Sequence, residues 1–212
     1  MQLLAQQLPQ LQGSAKTAKS LTKIIQAATK ETRRQQNRLG ALASVKDRLI
    51  GKTAPKPAVT DLEGTTFDWA QLKNTVTVLH FWEYRDAPLE EPYGQIAYID
   101  FLHRNHNTDR VRVLGISVDD RLADPSTHAQ AVRSAKKLRS FMNLSYPQLL
   151  DTGSAIQQYG DPRVTGAKLP LFVVIDRSGK IVHYHVGNYE IDRDRGLKVL
   201  DEAVNQALGN PE

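Results

Sequence analysis

Residues 75–92, which read TVTVLHFWEYRDAPLEEP, are the most informative segment of this chain for its fold. Its first half is an apolar, β-branched run that ends at Trp82 and predicts a buried central strand. A short polar corner follows, and then Asp86 and Pro88 have the character of a helix N-cap and a first-turn residue. Because backbone N–H groups point into a cleft where a strand turns into a helix, this corner is the first candidate for a functional site.

The stretch resembles the active-site segment of thioredoxin-like proteins, specifically the redoxin (AhpC/TSA) and TlpA type of thiol-disulfide oxidoreductase. That family has Phe-Trp, two residues, and then Trp-Cys-x-Pro-Cys at the helix start. Here Phe81-Trp82 and Pro88 match this pattern, whereas Asp86 and Leu89 stand where the two cysteines would be. The degenerate active-site positions are Arg85, Asp86, Ala87, Pro88 and Leu89.

The chain of 212 residues contains no cysteine at all. Thiol–disulfide exchange needs a thiolate nucleophile and a second thiol to resolve the mixed disulfide, and a carboxylate or a leucine replaces neither. Peroxide reduction in redoxins also requires a cysteine. The sequence therefore predicts a family member that has lost thiol-disulfide oxidoreductase and peroxidase activity and that needs no cofactor. An enzyme of non-thiol chemistry on the same scaffold remains the alternative.

A second hallmark of the family is Lys168-Leu169-Pro170 before an apolar strand that runs to Asp176. The resemblance implies that the Leu169–Pro170 bond is cis, that Pro170 faces the degenerate motif, and that Leu169 offers backbone hydrogen bonds to an extended peptide. The function that this implies is a binding module for a protein or peptide in the former active-site cleft. The candidate cleft residues are Trp82, Tyr84, Lys168, Leu169 and Pro170.

Further landmarks extend the resemblance over roughly three quarters of the chain, from an opening hairpin at residues 58–67 to the C-terminus. A buried strand is predicted at 111–120 and a hairpin turn at 176–180. Helices are predicted at 93–104, 126–142 and 192–208. The fold class is therefore α/β, with a thioredoxin-like central mixed β-sheet flanked by helices and preceded by an N-terminal helical extension.

Residues 1–52 form the predicted extension, residues 53–57 a Pro-rich linker, and residues 58–212 the thioredoxin-like domain. The extension carries ten Lys and Arg against Glu31 and Asp47, a net charge of +8, while the rest of the chain has a net charge of −3. Its apolar residues recur every three to four positions, which predicts one amphipathic helix or two helices broken near Gly40. This helix could pack on the domain, self-associate or dock a partner. Contact with nucleic acid or an anionic membrane is the least favoured alternative: basic helices bind both, but no aromatic residue for stacking interrupts this one.

The remaining candidates for chemistry have plainer interpretations. Asp86 is interpreted as an N-cap rather than a base, because a helix N-terminus lowers a carboxyl pKa. Arg85, with Lys168 nearby, could hold an anion or could be surface charge. Two histidine pairs share a helix or strand face, but zinc needs three or four convergent ligands, so no metal site is predicted. These pairs are His103 with His106 and His183 with His185; His80 is interpreted as a core histidine.

No run of about eighteen apolar residues is present, so no transmembrane segment is expected. The first nine residues lack both the basic leader and the apolar stretch of a signal peptide. Location outside the cytoplasm is an expectation from the family resemblance alone.

Overall fold

The computed structural model describes residues 19–83, 95–106 and 109–209. By its contacts the chain divides into two compact units, one up to Val45 and one from Lys46 onward. From residue 19 onward, where the description begins, the first unit contains most of a single long helix, α1 (Lys19–Leu49). This helix passes through Gly40 without interruption, so the alternative of two helices broken there is wrong. A glycine in a helix interior costs only about 1 kcal/mol, which the other residues of a 31-residue helix offset.

The second unit is built on one mixed sheet of six strands. The strands lie in the order β1-β4-β3-β2-β5-β6. Their bounds are β1 (Thr60–Asp61), β2 (Val76–Trp82), β3 (Val111–Val118), β4 (Gln148–Asp151), β5 (Leu171–Ile175) and β6 (Ile181–Val186). The helices that accompany them are α2 (Ile96–Asn105), α3 (Pro125–Phe141), α4 (Ser154–Gln158) and α5 (Lys198–Leu208). The mixed α/β sheet with its N-terminal helix confirms the predicted fold class.

The central strand is β2, and all seven of its residues are buried. It runs parallel to β3, with Val76 opposite Val111 and Trp82 opposite Ser117. It runs antiparallel to β5, where Phe81 lies opposite Leu171. A strand paired on both sides and covered on both faces is an unbroken apolar run, which is why the sequence identified β2 and β3 so readily.

Alternate residues of β2 serve two different layers. One side packs against α2, α3 and α5, and this core includes Val78, Ile99, Leu138 and Leu200. The other side meets the segment that includes α4: the Phe81 ring lies 5.3 Å from the ring of Tyr159. The hydroxyl of Tyr159 donates to the carbonyl oxygen of Pro55 at 2.7 Å, so this covering layer is tied to the chain before β1.

The predicted start of the last helix at Asp192 is wrong, because α5 begins at Lys198. The Asp192 carboxylate accepts hydrogen bonds from the N–H groups of Asp194 and Arg195, each at 2.9 Å. Backbone hydrogen bonds also join Asp192 and Gly196 in both directions. Gly196 has φ +64°, so residues 192–196 form a closed turn rather than a helical one.

Candidate functional site

The loop before β5 contains the predicted cis bond. The Leu169–Pro170 peptide bond is cis, as the resemblance implied. Pro170 is buried, Leu169 is partly buried and Lys168 is exposed. The carbonyl oxygen of Pro170 accepts a hydrogen bond from the N–H of Gly187 at 2.8 Å, which anchors the loop to the end of β6.

This loop lies beside the end of the central strand. Because Leu171 pairs with Phe81, Pro170 reaches the sheet next to Trp82 and Glu83, where the degenerate motif begins. Trp82 is only 3% exposed and is part of the core beneath α2. The structure thus brings Trp82, Leu169 and Pro170 to one edge of the sheet. Tyr84 and the five degenerate positions Arg85–Leu89 lie outside the described residues.

Leu169 has no backbone hydrogen bond to any other described residue. In the part of the chain that the structure describes, neither its N–H nor its C=O makes a hydrogen bond. A backbone donor and acceptor left open on one partly exposed residue are what an extended peptide pairs with when it adds alongside a sheet or loop edge.

An ionic cluster lies near the carboxyl ends of β2 and β3, and it was not predicted from the sequence. The Arg163 guanidinium binds both carboxylate oxygens of Asp161, with its Nη2 at 2.8 Å and its Nε at 3.0 Å and 3.1 Å. Its Nη1 also lies 3.3 Å from Oδ1 of Asp120, which follows β3. The hydrogen bonds that Arg163 donates to Asp161, together with the negative charges of Asp161, Asp120 and Glu83, raise the pKa of Arg163.

The only sequence signal for this cluster is a repeated spacing. Asp119 and Arg121 form the same bidentate pair two residues apart as Asp161 and Arg163. In both places the aspartate also caps a short 3-10 helix, by accepting the N–H of the arginine's own residue. The pattern predicts a local turn, but nothing in the sequence predicts that Arg163 reaches Asp120.

Beneath the cis-proline loop lies a stack of aromatic rings and histidines. His80 is wholly buried in β2, and its ring stacks on Phe172 with centroids 4.8 Å apart, as expected for a core histidine. Phe172 contacts Tyr189, with centroids 4.9 Å apart, and His185 stacks on Tyr189 at 3.9 Å. This packing of rings surrounds Phe172 at the start of β5, next to the cis-proline loop.

One histidine of each pair, His183 and His106, makes a short polar contact with a residue outside its pair. Nε2 of His183 lies 2.7 Å from the Tyr189 hydroxyl, and burial with the nearby charge of His185 lowers the pKa of His183 to about 4. Nε2 of His106 lies 2.9 Å from Oδ1 of Asp201, and this contact lowers the pKa of Asp201. Among the described residues, no group of three His, Asp or Glu side chains is arranged to hold a metal ion.

One buried amide joins the residue before α2 to Tyr189 in this group of rings. Gln95 is the first described residue after the motif and is 1% exposed. Its Nε2 donates to the carbonyl oxygen of Tyr189 at 2.9 Å, and its Oε1 accepts from the N–H of Tyr189 at 2.8 Å. The side chain thereby acts like a strand partner for Tyr189 and fixes the start of α2 against the loop after β6.

The sheet order, the helices and the cis-proline loop together define a thioredoxin-like domain. Solved structures show the same fold. A thiol:disulfide interchange protein of the thioredoxin family from Chlorobium tepidum TLS has 21% identity and a TM-score of 0.56, with 74% of this chain and 97% of that chain covered. A hypothetical protein from Sinorhizobium meliloti 1021 has 18% identity and a TM-score of 0.59, with 77% and 86% covered.

The family model described as the AhpC/TSA family matches residues 50–184. The chain therefore belongs to the AhpC/TSA family. Among similar proteins is the thiol-disulfide oxidoreductase ResA of Bacillus thuringiensis (strain Al Hakam), which is 27% identical over 152 residues, covering 70% of this chain and 76% of that protein. ResA of Bacillus anthracis gives the same figures. No helix within the described ranges is long and apolar enough to cross a membrane.

Proposed function

We propose that this chain is a redox-inactive thioredoxin-like domain that binds an extended peptide segment in the former active-site cleft. The observation that carries the proposal is a contrast. The chain has no cysteine, whereas Leu169, in the loop before β5, has a backbone N–H and C=O without a hydrogen-bonding partner among the described residues. The chemistry of the thiol relatives is lost, and the surface that pairs with a peptide backbone remains.

The surroundings of Leu169 support a backbone-directed mode of binding. The loop is held by the contact between the rings of Phe172 and Tyr189 and by the hydrogen bond from the N–H of Gly187 to the carbonyl oxygen of Pro170. A rigid loop loses little conformational entropy when a peptide binds, so main-chain pairing alone gives useful affinity. The neighbouring Asp120 is 81% exposed at its side chain and places negative charge at the same edge, which favours peptides with a basic residue.

The binding test uses random dodecapeptides displayed on phage, selected on the purified full chain and then synthesised for titration. Leu169→Arg puts a long charged side chain over the cleft, and we expect it to weaken binding at least about tenfold. Val164→Arg is the matched control, because Val164 is 85% exposed in the same connection and should leave binding unchanged. In ¹H–¹⁵N spectra the Leu169 amide should shift on titration. Selected peptides that bind both variants equally would refute the cleft as the site.

A second experiment tests the redox part of the proposal. The double variant Asp86→Cys, Leu89→Cys recreates the cysteine spacing of the family, and we expect it to accelerate insulin reduction by dithiothreitol while the wild-type chain does not. A single variant, Asp86→Cys, is the control because it has no resolving thiol. If the folded double variant stays inactive, this chain no longer presents a thioredoxin-like cleft, and the binding proposal loses its basis.

A further inference from the structure

A cavity lies at the opposite edge of the sheet from the cis-proline loop. It has a volume of about 360 Å³ and is bordered by three separate parts of the chain. These are residues 53–56, residues between 69 and 77, and the end of β5 with its hairpin, residues 175–179. Thr77 and Ile175 pair across β2 and β5 at this edge, whereas the degenerate motif follows the other end of β2. The volume lies within the range of small-molecule sites.

The cavity is preformed, because its walls are fixed by hydrogen bonds. The indole N–H of Trp69 donates to the carbonyl oxygen of Pro57 at 2.7 Å, and the ring of Phe67 meets the Trp69 ring edge-on at 5.2 Å. The N–H of Ala54 donates to the carbonyl oxygen of Gly179 at 2.8 Å. These contacts hold apolar groups around the space without filling it. The apolar lining residues are Ala54, Pro55, Trp69, Ala70, Leu72 and Ile175.

The charge around this apolar space is positive. Lys56, Lys73 and Arg177 all border it and are exposed, and within the described residues none of them forms an ion pair. Asp176 is the one carboxylate that borders the cavity, and its Oδ1 accepts the N–H groups of Ser178 and Lys180, at 2.8 Å and 2.9 Å. Three cations therefore surround an apolar space, and the single acidic side chain is already engaged by its own turn.

We infer that this cavity binds a small amphipathic organic anion, with an apolar body of about six to ten carbons and one terminal carboxylate. The apolar body occupies the space beside Trp69 and Ile175, where burial of its surface drives binding. The carboxylate remains at the rim, where Lys73 and Arg177 attract it. This site shares no residue with the cleft at Leu169, so either proposal can fail without the other.

The probe for this inference is octanoate, compared with octylamine of opposite charge and with acetate, which has no apolar body. The chain has two tryptophans, and only Trp69 borders the cavity, whereas Trp82 lies in the core at the other end of β2. We expect octanoate to shift the indole N–H signal of Trp69 saturably and to leave that of Trp82 in place. Octylamine and acetate should give no saturable shift of Trp69.

Two variants test the positive charge at the rim and the volume of the cavity separately. The double variant Lys73→Glu, Arg177→Glu should weaken octanoate binding at least about tenfold and allow octylamine to bind instead. Lys137→Glu, Arg139→Glu changes two exposed cations on α3 outside the cavity and should leave octanoate binding unchanged. Ala70→Trp should fill the space and abolish binding of either probe. The inference is overturned if octanoate fails to saturate the Trp69 shift, shifts Trp82 instead, or binds both charge variants equally.

Discussion

Replacement of Gln95 by methionine should be among the most destabilising single changes outside the apolar core. Gln95 is buried, and its amide makes two hydrogen bonds to the backbone of Tyr189, 94 residues away. Methionine has nearly the same length and occupies the same space, but it can neither donate to the Tyr189 carbonyl nor accept from the Tyr189 N–H. The backbone conformation at φ +64° is unfavourable for both side chains, so its cost cancels in the comparison.

The magnitude follows from the two backbone groups that would be left unsatisfied. Tyr189 is 5% exposed, so water reaches its N–H and C=O poorly. Each buried group without a partner costs about 1–3 kcal/mol, which gives a range of about 2–6 kcal/mol for the pair. Because Tyr189 lies in a connection near the surface that can relax, we expect the lower half of that range, about 3 kcal/mol. For a chain of this size that corresponds to a fall in melting temperature of roughly 6–12 °C.

The measurement is urea unfolding followed by circular dichroism, with the unfolding free energy obtained by linear extrapolation. Gln130→Met on the exposed side of α3 is the matched control and should stay within about 0.5 kcal/mol of wild type. Gln95→Glu adds a second check, since at pH 7 it buries a charge and loses the donor. At pH 4 the protonated carboxyl can again donate to Tyr189, so its deficit relative to wild type should shrink. A loss below about 1 kcal/mol for Gln95→Met would refute the strand-like role of this amide.

Two further outcomes follow from the packing and the histidines of the sheet. Gly115→Ala should destabilise by about 1–3 kcal/mol, because the added Cβ would lie 2.6 Å from Oε1 of Gln148 and 2.8 Å from Cε2 of Tyr146. Gly40→Ala, which meets nothing within 4 Å, should instead raise the helical stability of α1 by up to about 1 kcal/mol, and equal effects of the two changes would contradict this. The pKa of His183 is lowered from 6.5 to about 4 by burial, so between those pH values the unfolded chain binds a proton that the folded chain does not. Stability should therefore fall as pH falls through that window, and less steeply in His183→Gln, as urea midpoints at pH 7 and pH 5 would show; an unchanged slope would exclude His183 as the cause.

The parts of the fold that the sequence predicted are those whose cause is local. β2 and β3 are continuous apolar runs because both of their faces are covered, and the turn at residues 176–180 is predicted by Asp176 and Gly179. The last helix was placed six residues early: its apolar residues begin only at Leu197, and the five residues before it form a turn that Asp192 and Gly196 close. Periodicity of apolar residues indicates which face of a helix is buried. It does not indicate where backbone N–H groups bind a side chain and form a turn instead of a helix.

For the site residues too, local features were predicted and long-range contacts were not. Leu169 and Pro170 were predicted because a family motif marks them, and the cis bond is present. The pairing of Gln95 with Tyr189 and of Arg163 with Asp120 joins residues 94 and 43 positions apart, for which a single sequence holds no spacing rule. Such contacts depend on the direction of side chains in the folded sheet, which is decided only when all six strands are in register.

The cavity at the opposite edge shows how a correct local prediction can conceal a site. Residues 53–57 were interpreted as a linker because Pro55 and Pro57 favour an extended chain. The chain there is extended, but it is hydrogen-bonded to the β5–β6 hairpin through Ala54 and Gly179, and it supplies one wall of the cavity. This segment has no periodic pattern of apolar residues because it contacts a turn and one tryptophan rather than the face of a helix or sheet. It does make contacts, and the sequence does not show them. Truncation of the chain within residues 53–57 would therefore remove a wall of the proposed anion site while leaving the cis-proline loop in place.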